Sequence, residues 1–438
     1  MKSWKWLVPG AALIVGAVLI SCSQHDNPLV HQTVGTGRSS GTGIYAFTAQ
    51  LNRFSANDKQ TRVIDIAYAS DEDLFTPQAP FPVLYLLHDF GGDAQFYERY
   101  GLQDILDDMY AKGEIGRMLV VTVDASSYFG GAYYRNSATS GKYEDMITAL
   151  VNYIENSGTF HVHSRGGRAA RAIGGFGMGG YGAMRYALDH PDIFSSISAA
   201  SAPLAFGDPQ QGTGFWNPTT GMVAQMYAEN GTGVGDLNLY AALRAGWLKP
   251  NTNLFFAMSA AFSPHPLQAF DSVGCKIICR FPPGGCVLKD TVCGIDFFSP
   301  RPPDPHTITF PAPVDTFGVG VDAFVDSSGQ LVDSLWRLWH DSADVATVFQ
   351  RQIQADPNLW KNTKIYMDVG TQDEFGYLEQ NRTFDGILTN AGIPHTYIEY
   401  GPAGAIPATH SEQLASRLRS LIRFHSENLA RPEGSANK

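Results

Sequence analysis

Asp373 and His410 are the two residues of this chain whose order and surroundings suit nucleophilic catalysis. An imidazole can take the proton of an attacking hydroxyl, and a carboxylate can hold that imidazole in one tautomer and stabilise its charge. The hydroxyl would have to come from further up the chain. There, Ala172 to Ala183 (AIGGFGMGGYGA) reads as a strand, a tight glycine turn and the start of a helix. That is the setting of a nucleophile elbow, G-x-S-x-G, with the acid and then the histidine following in chain order. In Gly175-Phe-Gly-Met-Gly179 the central residue is Gly177, not serine. The turn is kept and the attacking atom is missing.

Glycine is the replacement that least disturbs such a turn. A non-glycine residue there carries roughly 1–3 kcal/mol of backbone strain, and glycine adopts the conformation without it. Ser164 and Ser201 are the nearest other serines to consider, and neither sits on an elbow. Each surviving candidate also has a plainer reading. Asp373 could cap the helix that begins near Phe375, and His410 could be a helix N-cap or a surface histidine. His88 reads as a structural histidine at a strand end. His161 and His163 occupy alternate strand positions, and without a carboxylate partner they make a poor metal site. No metal and no cofactor is called for.

The elements that must position these residues form an alternating series. Arg62 to Tyr68 alternates like a strand, and Pro82-Val-Leu-Tyr-Leu-Leu87 and Met118 to Val123 are continuous apolar runs, as strands buried on both faces should be. Tyr143 to Ile154 has helical spacing, with Met146, Leu150 and Tyr153 on one face. A strand over Ala169 to Phe176, a helix over Gly179 to Leu188 and a strand over Ile193 to Ala200 follow. Lys364 to Val369 and His395 to Tyr400 are strand-like around a helix from Leu378 to Ala391, and a last helix runs from about Ser411 to Leu429. This alternation predicts an α/β fold with a mostly parallel sheet covered on both faces. Residues 204–360 interrupt it with Gly- and Pro-rich sequence, four cysteines and two predicted helices, Asn238 to Leu248 and Leu331 to Ile353. The segment is too long for a structureless connection, so it is expected to be an inserted cap or lid. Trp336 and Trp339 within it either fill a pocket or pack a core.

The chain has 438 residues, 44% of them apolar, and a formal net charge of −11. It is a globular composition without the basic face that a nucleic-acid partner would call for. Lys2 and Lys5 precede an apolar run from Trp6 to Ile20, the outline of a secretory signal. The run ends in Leu19-Ile20-Ser21-Cys22, which resembles a bacterial lipobox with Cys22 as the lipidated residue. A plain signal peptide and a single short membrane anchor are the other readings. The expectation is a signal over residues 1–22, a polar tether over 23–42 and a lipid-anchored protein of the bacterial cell envelope, facing the periplasm or the exterior. Cys275, Cys279, Cys286 and Cys293 then read as two local disulfides with three possible connectivities. Zinc is the rival reading, but the C-x3-C-x6-C-x6-C spacing lacks paired C-x2-C knuckles.

Taken in order, these segments resemble the esterase family of α/β-hydrolases, which includes S-formylglutathione hydrolase, feruloyl and acetylxylan esterases, enterochelin esterase and mycolyltransferases. The similarity covers most of Phe81 to Leu204 and again Lys364 to Phe424. It implies an α/β-hydrolase domain over 43–203 and 361–430 with 204–360 as the cap. Pro82 to Gly92 is similar to the family's strand and oxyanion loop, and Gly370-Thr-Gln-Asp373 to the turn that delivers the acid. His410 lies where the histidine belongs, although Ala408-Thr409 replaces the usual preceding glycine. Tyr134-Arg-Asn-Ser137 and Tyr143-Glu-Asp145 resemble the segment beside the site, which implies binding roles for Asn136 and Glu144. Ser201 falls where the family often has a small polar residue.

The resemblance places the oxyanion hole at the backbone N–H groups of Phe90 and Met178. Where the family has His-Gly, this chain has His88-Asp89. A carboxylate there would repel developing negative charge, occupy the hole itself, or point to solvent. The expectation is an esterase-like scaffold that is inactive or strongly impaired, a pseudoenzyme holding a small ester, a glycan or a partner. The alternatives are an active esterase or acyltransferase using water or another nucleophile with His410 and Asp373, and a purely structural lipoprotein.

Overall fold

A computed structural model describes residues 45–52, 59–70, 81–127, 129–138, 140–156, 167–231, 249–265, 275–280, 288–293, 307–310, 319–325 and 331–430. The signal, Cys22, the tether, His161, His163, Ser164, Cys286 and the helix predicted at 238–248 lie outside these residues, as do the side chains of Cys275, Cys279 and Cys293. The backbones of Cys275 and Cys293 are register partners in an antiparallel strand pair.

Eight strands make the main sheet: β1 (Tyr45–Asn52), β2 (Lys59–Ala69), β3 (Val83–Leu87), β4 (Met118–Val123), β5 (Arg171–Phe176), β6 (Ser196–Ala200), β7 (Lys364–Gly370) and β8 (His395–Tyr400). Their order is β1-β2-β4-β3-β5-β6-β7-β8. The last six run parallel, and β1 and β2 add an antiparallel edge. This is the α/β-hydrolase architecture that the resemblance implies. Strands β3, β4 and β6 are buried along their whole length because helices cover both faces, which is why β3 and β4 read as apolar runs rather than alternating ones.

Helices α1 (Leu102–Ala111) and α9 (Leu414–Asn428) cover one face, meeting Leu84, Leu86, Val120, Ala172 and Phe176 of the strands. The opposite face carries α2 (Tyr143–Asn156), α3 (Met178–Asp189), α7 (Val345–Ala355) and α8 (Tyr377–Asn390), packed on Val83, Tyr85, Leu87 and Ile173. No helix among the described residues is long and apolar enough to cross a membrane.

The apolar side chains described within 204–262 and 323–360 share that second core. Helix α4 (Met222–Asn230) precedes helix α5 (Pro250–Phe262), which is buried on every side, so α5 shows no polar face, and the apolar periodicity that reveals an amphipathic helix is absent. Trp339 packs on Phe206, Phe255, Phe262 and Phe324, and Trp336 on Trp216 and Phe324. Both tryptophans are therefore core residues. The helix predicted over Leu331 to Ile353 is two helices, α6 (Asp333–Ser342) and α7, parted at Ala343-Asp344. The break has a cause that lies far away in sequence: the Asp344 carboxylate accepts the N–H of Phe206 at 3.0 Å. Tyr181 of α3 donates its hydroxyl to the Ala343 carbonyl at 2.8 Å, joining this segment to the helix that follows Gly177.

Candidate active site

The turn from β5 into α3 places Gly177 at φ 47° and ψ −112°, a left-handed conformation that suits glycine. Its N–H donates to the Ala200 carbonyl of β6 at 2.8 Å, and its carbonyl accepts the N–H of Tyr181 at 3.0 Å. The approach is close because glycines line it. A β-carbon on Gly175 would lie 2.5 Å from the Leu87 carbonyl oxygen, so only a bare backbone lets α3 begin beside the end of β3.

The neighbouring loop, His88 to Gly92, leaves the end of β3 and is held from several directions. Buried His88 accepts the Ala125 N–H at Nε2 (2.8 Å) and donates from Nδ1 to the Asp89 carbonyl (2.7 Å). Those partners fix it as a neutral imidazole, and burial lowers its pKa in the same sense. Tyr134 donates its hydroxyl to the His88 carbonyl at 3.1 Å, and Gly91 donates to the Gly130 carbonyl at 2.8 Å. The loop thus presents the Asp89 side chain towards the elbow.

There, Asp89 Oδ1 accepts the backbone N–H groups of Phe90 (2.7 Å) and Met178 (2.8 Å), the two groups expected to form an oxyanion hole. Asp89 Oδ2 accepts from His410 Nε2 at 2.9 Å. His410 Nδ1 in turn donates to Asp373 Oδ2 at 2.9 Å. Carboxylates only accept, so a histidine bonded to two of them carries a proton on both nitrogens. Burial would lower the His410 pKa, but the charges of Asp373 and Asp89 outweigh it and hold it up at about 10. Burial likewise acts to raise the Asp89 pKa, and the His410 charge with the two N–H groups outweighs it and keeps this carboxyl below its usual range.

Asp373 comes from the Gly370-to-Asp373 turn at the end of β7. Its Oδ1 accepts the N–H groups of Phe375 (3.1 Å) and Tyr377 (3.4 Å), so it also ties down the start of α8. The capping role and the acid position coincide in one side chain. His410 precedes α9; its N–H donates to Glu374 Oε2 at 2.8 Å, and Phe375 and Tyr377 stand edge-on to its ring at 5.0 and 5.5 Å.

A strand–glycine turn–helix, followed by an acid at the end of a later strand and a histidine before the last helix, is the order seen here. The family described as Putative esterase matches residues 70–414. The chain belongs to this family. Two curated relatives, Esterase Rv1288 and Esterase MT1326 of Mycobacterium tuberculosis, are each 28% identical over 141 residues, which is 31% of this chain and 28% of theirs. The chain therefore matches less than a third of the length of those relatives. Among solved structures, a ferulic acid esterase is similar over 88% of this chain and 98% of its own, with a TM-score of 0.49 and 16% identity. An S-formylglutathione hydrolase from Agrobacterium tumefaciens is similar over 91% and 99%, with a TM-score of 0.48 and 14% identity.

In this esterase-family member, the two predicted binding residues Asn136 and Glu144 bond to their own segment and its neighbours. Asn136 Oδ1 accepts the N–H groups of Glu144 and Asp145 at 3.2 and 3.1 Å, capping α2. The Glu144 carboxylate pairs with Arg135 and His190, each at 3.1 Å. The capping and pairing hold the segment in place.

One residue behind the site was missed. Buried Arg417 of α9 binds Asp368 Oδ1 through Nε (2.9 Å) and Nη2 (2.6 Å), Ser201 Oγ through Nη2 (2.7 Å) and the His410 carbonyl through Nη1 (2.8 Å). Ser201 is thereby a structural hydroxyl, held at φ 44°. The signal was in the sequence: Asp368 interrupts an apolar strand and Arg417 interrupts the apolar face of the last helix, and buried charges need each other. Among the described residues no cluster of three or more His, Cys, Asp or Glu side chains forms a metal site.

Proposed function

We propose that this chain is a non-catalytic member of the esterase family, an exported lipoprotein that binds a small ester, a glycan or a partner without hydrolysing acyl esters. The observation that carries the reading is the Asp89 carboxylate on the N–H groups of Phe90 and Met178. Acyl transfer needs those donors for an oxyanion that develops in the transition state. A permanent anion already holds them, and the elbow supplies no hydroxyl. Loss of a serine nucleophile alone costs about 10⁶ in kcat.

His410 as a general base for direct water attack is the competing reading. It is weakened because an imidazolium wedged between two carboxylates has no lone pair to offer at neutral pH. The envelope location rests on the lipobox-like Leu19 to Cys22 and the charged, apolar leader before it.

The test is hydrolysis of short acyl nitrophenyl esters by the full chain in detergent. It is run beside the Asp89→Gly/Gly177→Ser double variant, with Asp373→Ala/His410→Ala as background. A parent no faster than background, with activity gained by the double variant, supports a disarmed esterase. A parent that hydrolyses these esters and loses the activity with His410→Ala overturns the reading.

A further inference from the structure

We infer that the exposed loop Gly401–Pro407 is a membrane-seating tip, an apolar wedge that dips into the lipid bilayer to which the chain is tethered. The inference rests on the lipoprotein reading under the proposed function and deepens it, from a chain held near a membrane to one seated on it by a named face.

The loop joins β8 to α9 and reads Gly-Pro-Ala-Gly-Ala-Ile-Pro, seven exposed residues without one polar side chain. Ile406, 49% exposed, is the most exposed large apolar side chain among the described residues. An exposed run with nothing polar in it marks a binding surface or a fault. This one is well built. Ala403 and Ile406 close the tip, the N–H of each donating to the carbonyl of the other at 2.9 and 3.1 Å. Gly404 turns it at φ 63°, and a β-carbon there or on Gly401 would meet nothing within 4 Å. Gln413 Nε2 staples the base, donating to the Gly401 and Pro407 carbonyls at 3.0 and 3.3 Å. The turn that carries Asp373 holds both ends. The Thr371 N–H donates to the Tyr400 carbonyl at 2.8 Å, and Gln372 bonds Ala408 through its N–H (2.9 Å) and its side-chain oxygen (3.0 Å). The wedge is shaped in advance and loses little freedom on binding.

The same bonds favour lipid over protein as the occupant. A backbone entering hydrocarbon must have its polar groups satisfied internally. Here Pro402 and Pro407 have no N–H, Ala403 and Ile406 pair with each other, and the Gly401 and Pro407 carbonyls are taken by Gln413. A protein partner would find aromatic or arginine anchors and a polar rim, and the tip offers neither. No lysine or arginine occurs from 383 to 416, so the contact is to the apolar layer rather than to anionic headgroups.

The tether is long enough. Residues 23–44 separate Cys22 from β1 and reach at most about 75 Å, more than the roughly 55 Å width of a domain of this length. One isoleucine among alanines and prolines binds weakly on its own. An anchored chain, however, meets the bilayer at high effective concentration, so a weak contact is enough to set its orientation. Because one turn mounts the tip and carries Asp373, the seat brings the cluster's end of the sheet towards the bilayer.

The test reconstitutes the full chain into phosphatidylcholine vesicles containing a phospholipid with a diazirine on its acyl chain. Peptide masses are read after irradiation. Lipid adducts are expected on the peptide that holds 401–407. Ile406→Asp should cut them about tenfold, and Ile406→Leu should keep them. A urea midpoint equal to the parent's shows that Ile406→Asp folds. A parent peptide without adducts, or one labelled equally in Ile406→Asp, overturns the inference. An Ile406-dependent dimer in detergent would then name a second copy as the occupant. Acylation of Cys22, read in the same spectra, decides the lipoprotein reading separately. Acylated Cys22 with an unlabelled tip overturns the inference alone, and unmodified Cys22 with a labelled tip overturns the anchor alone.

Discussion

The Asp89 carboxylate occupies the space that a β-carbon on residue 177 would need: built onto Gly177, that atom overlaps Oδ1 and Cγ of Asp89. The two departures from the esterase pattern are thus one arrangement. With any side chain at 177 the carboxylate cannot reach the Met178 N–H as it does, and with the carboxylate in place the elbow cannot regain a serine without displacing it.

Gly177→Ser alone should therefore destabilise the protein. Backbone strain at positive φ contributes about 1–3 kcal/mol, and forcing a side chain into filled space contributes about 1–3 kcal/mol more. Adding Asp89→Gly clears the collision and leaves the strain, so the pair should be non-additive by about 1–3 kcal/mol in the stabilising direction. Urea unfolding of the parent, both single variants and the double variant measures this. Additive effects would show that the two side-chain positions do not compete.

The pH dependence of the cluster should differ from that of a histidine with one carboxylate partner. The folded pKa of His410 is raised to about 10 from an ordinary 6.5, so its stabilising contribution is complete below about 6.5 and is lost as pH rises through about 10. Asp89 is depressed, so its contribution is present above the ordinary carboxylate range and is lost in acid, as pH falls through its folded value. Between those limits the cluster stays closed. Nitrogen NMR of the His410 ring at pH 8 should show both nitrogens protonated, and Asp89→Asn should bring the titration down towards neutrality. A parent ring that titrates near 6.5 would contradict the arrangement.

Much of this was readable because buried parallel strands leave a strong signal. Met118 to Val123 and His395 to Tyr400 match their strands end to end, and Gly177, Asp373 and His410, singled out by their chain order, are brought together around Asp89. What was hidden depended on contacts between distant segments. Helix α5 has no polar stripe because it is buried all round, and the break at Asp344 exists for the Phe206 N–H. The sequence left Asp89 three possibilities, and the fixed His88 loop selects the one in which the carboxylate accepts the Phe90 and Met178 N–H groups. Arg417 and Asp368 lie 49 positions apart, so two isolated charges in apolar segments had to be recognised as one pair.

Removing one member of that pair should be costly. Arg417→Met leaves Asp368 buried without its counter-ion and frees the His410 carbonyl, which predicts a loss of about 3–5 kcal/mol. Asp368→Asn combined with Arg417→Met removes both charges and should recover a large part of it. Chemical denaturation reads the stability, and the His410 ring signals report whether the cluster loosens. A single variant within about 0.5 kcal/mol of the parent would place it among ordinary surface changes and sink the structural role given to Arg417.

His425 provides an acid-side prediction independent of the site. It lies buried in α9 between Ser196 Oγ and Ser198 Oγ, each at 2.8 Å. Among the described residues no carboxylate touches it, and burial lowers its pKa to about 3 from 6.5. The folded protein then keeps it neutral while the unfolded chain takes up a proton below about 6.5. Stability should fall as pH drops from 6.5 towards 3, by at most about 1.4 kcal/mol per pH unit. His425→Gln removes the titrating group, and between pH 7 and pH 4 it should lose about 2–3 kcal/mol less than the parent does. Urea midpoints at the two pH values decide it: parallel losses in parent and variant would mean that His425 takes up its proton without unfolding the chain around it.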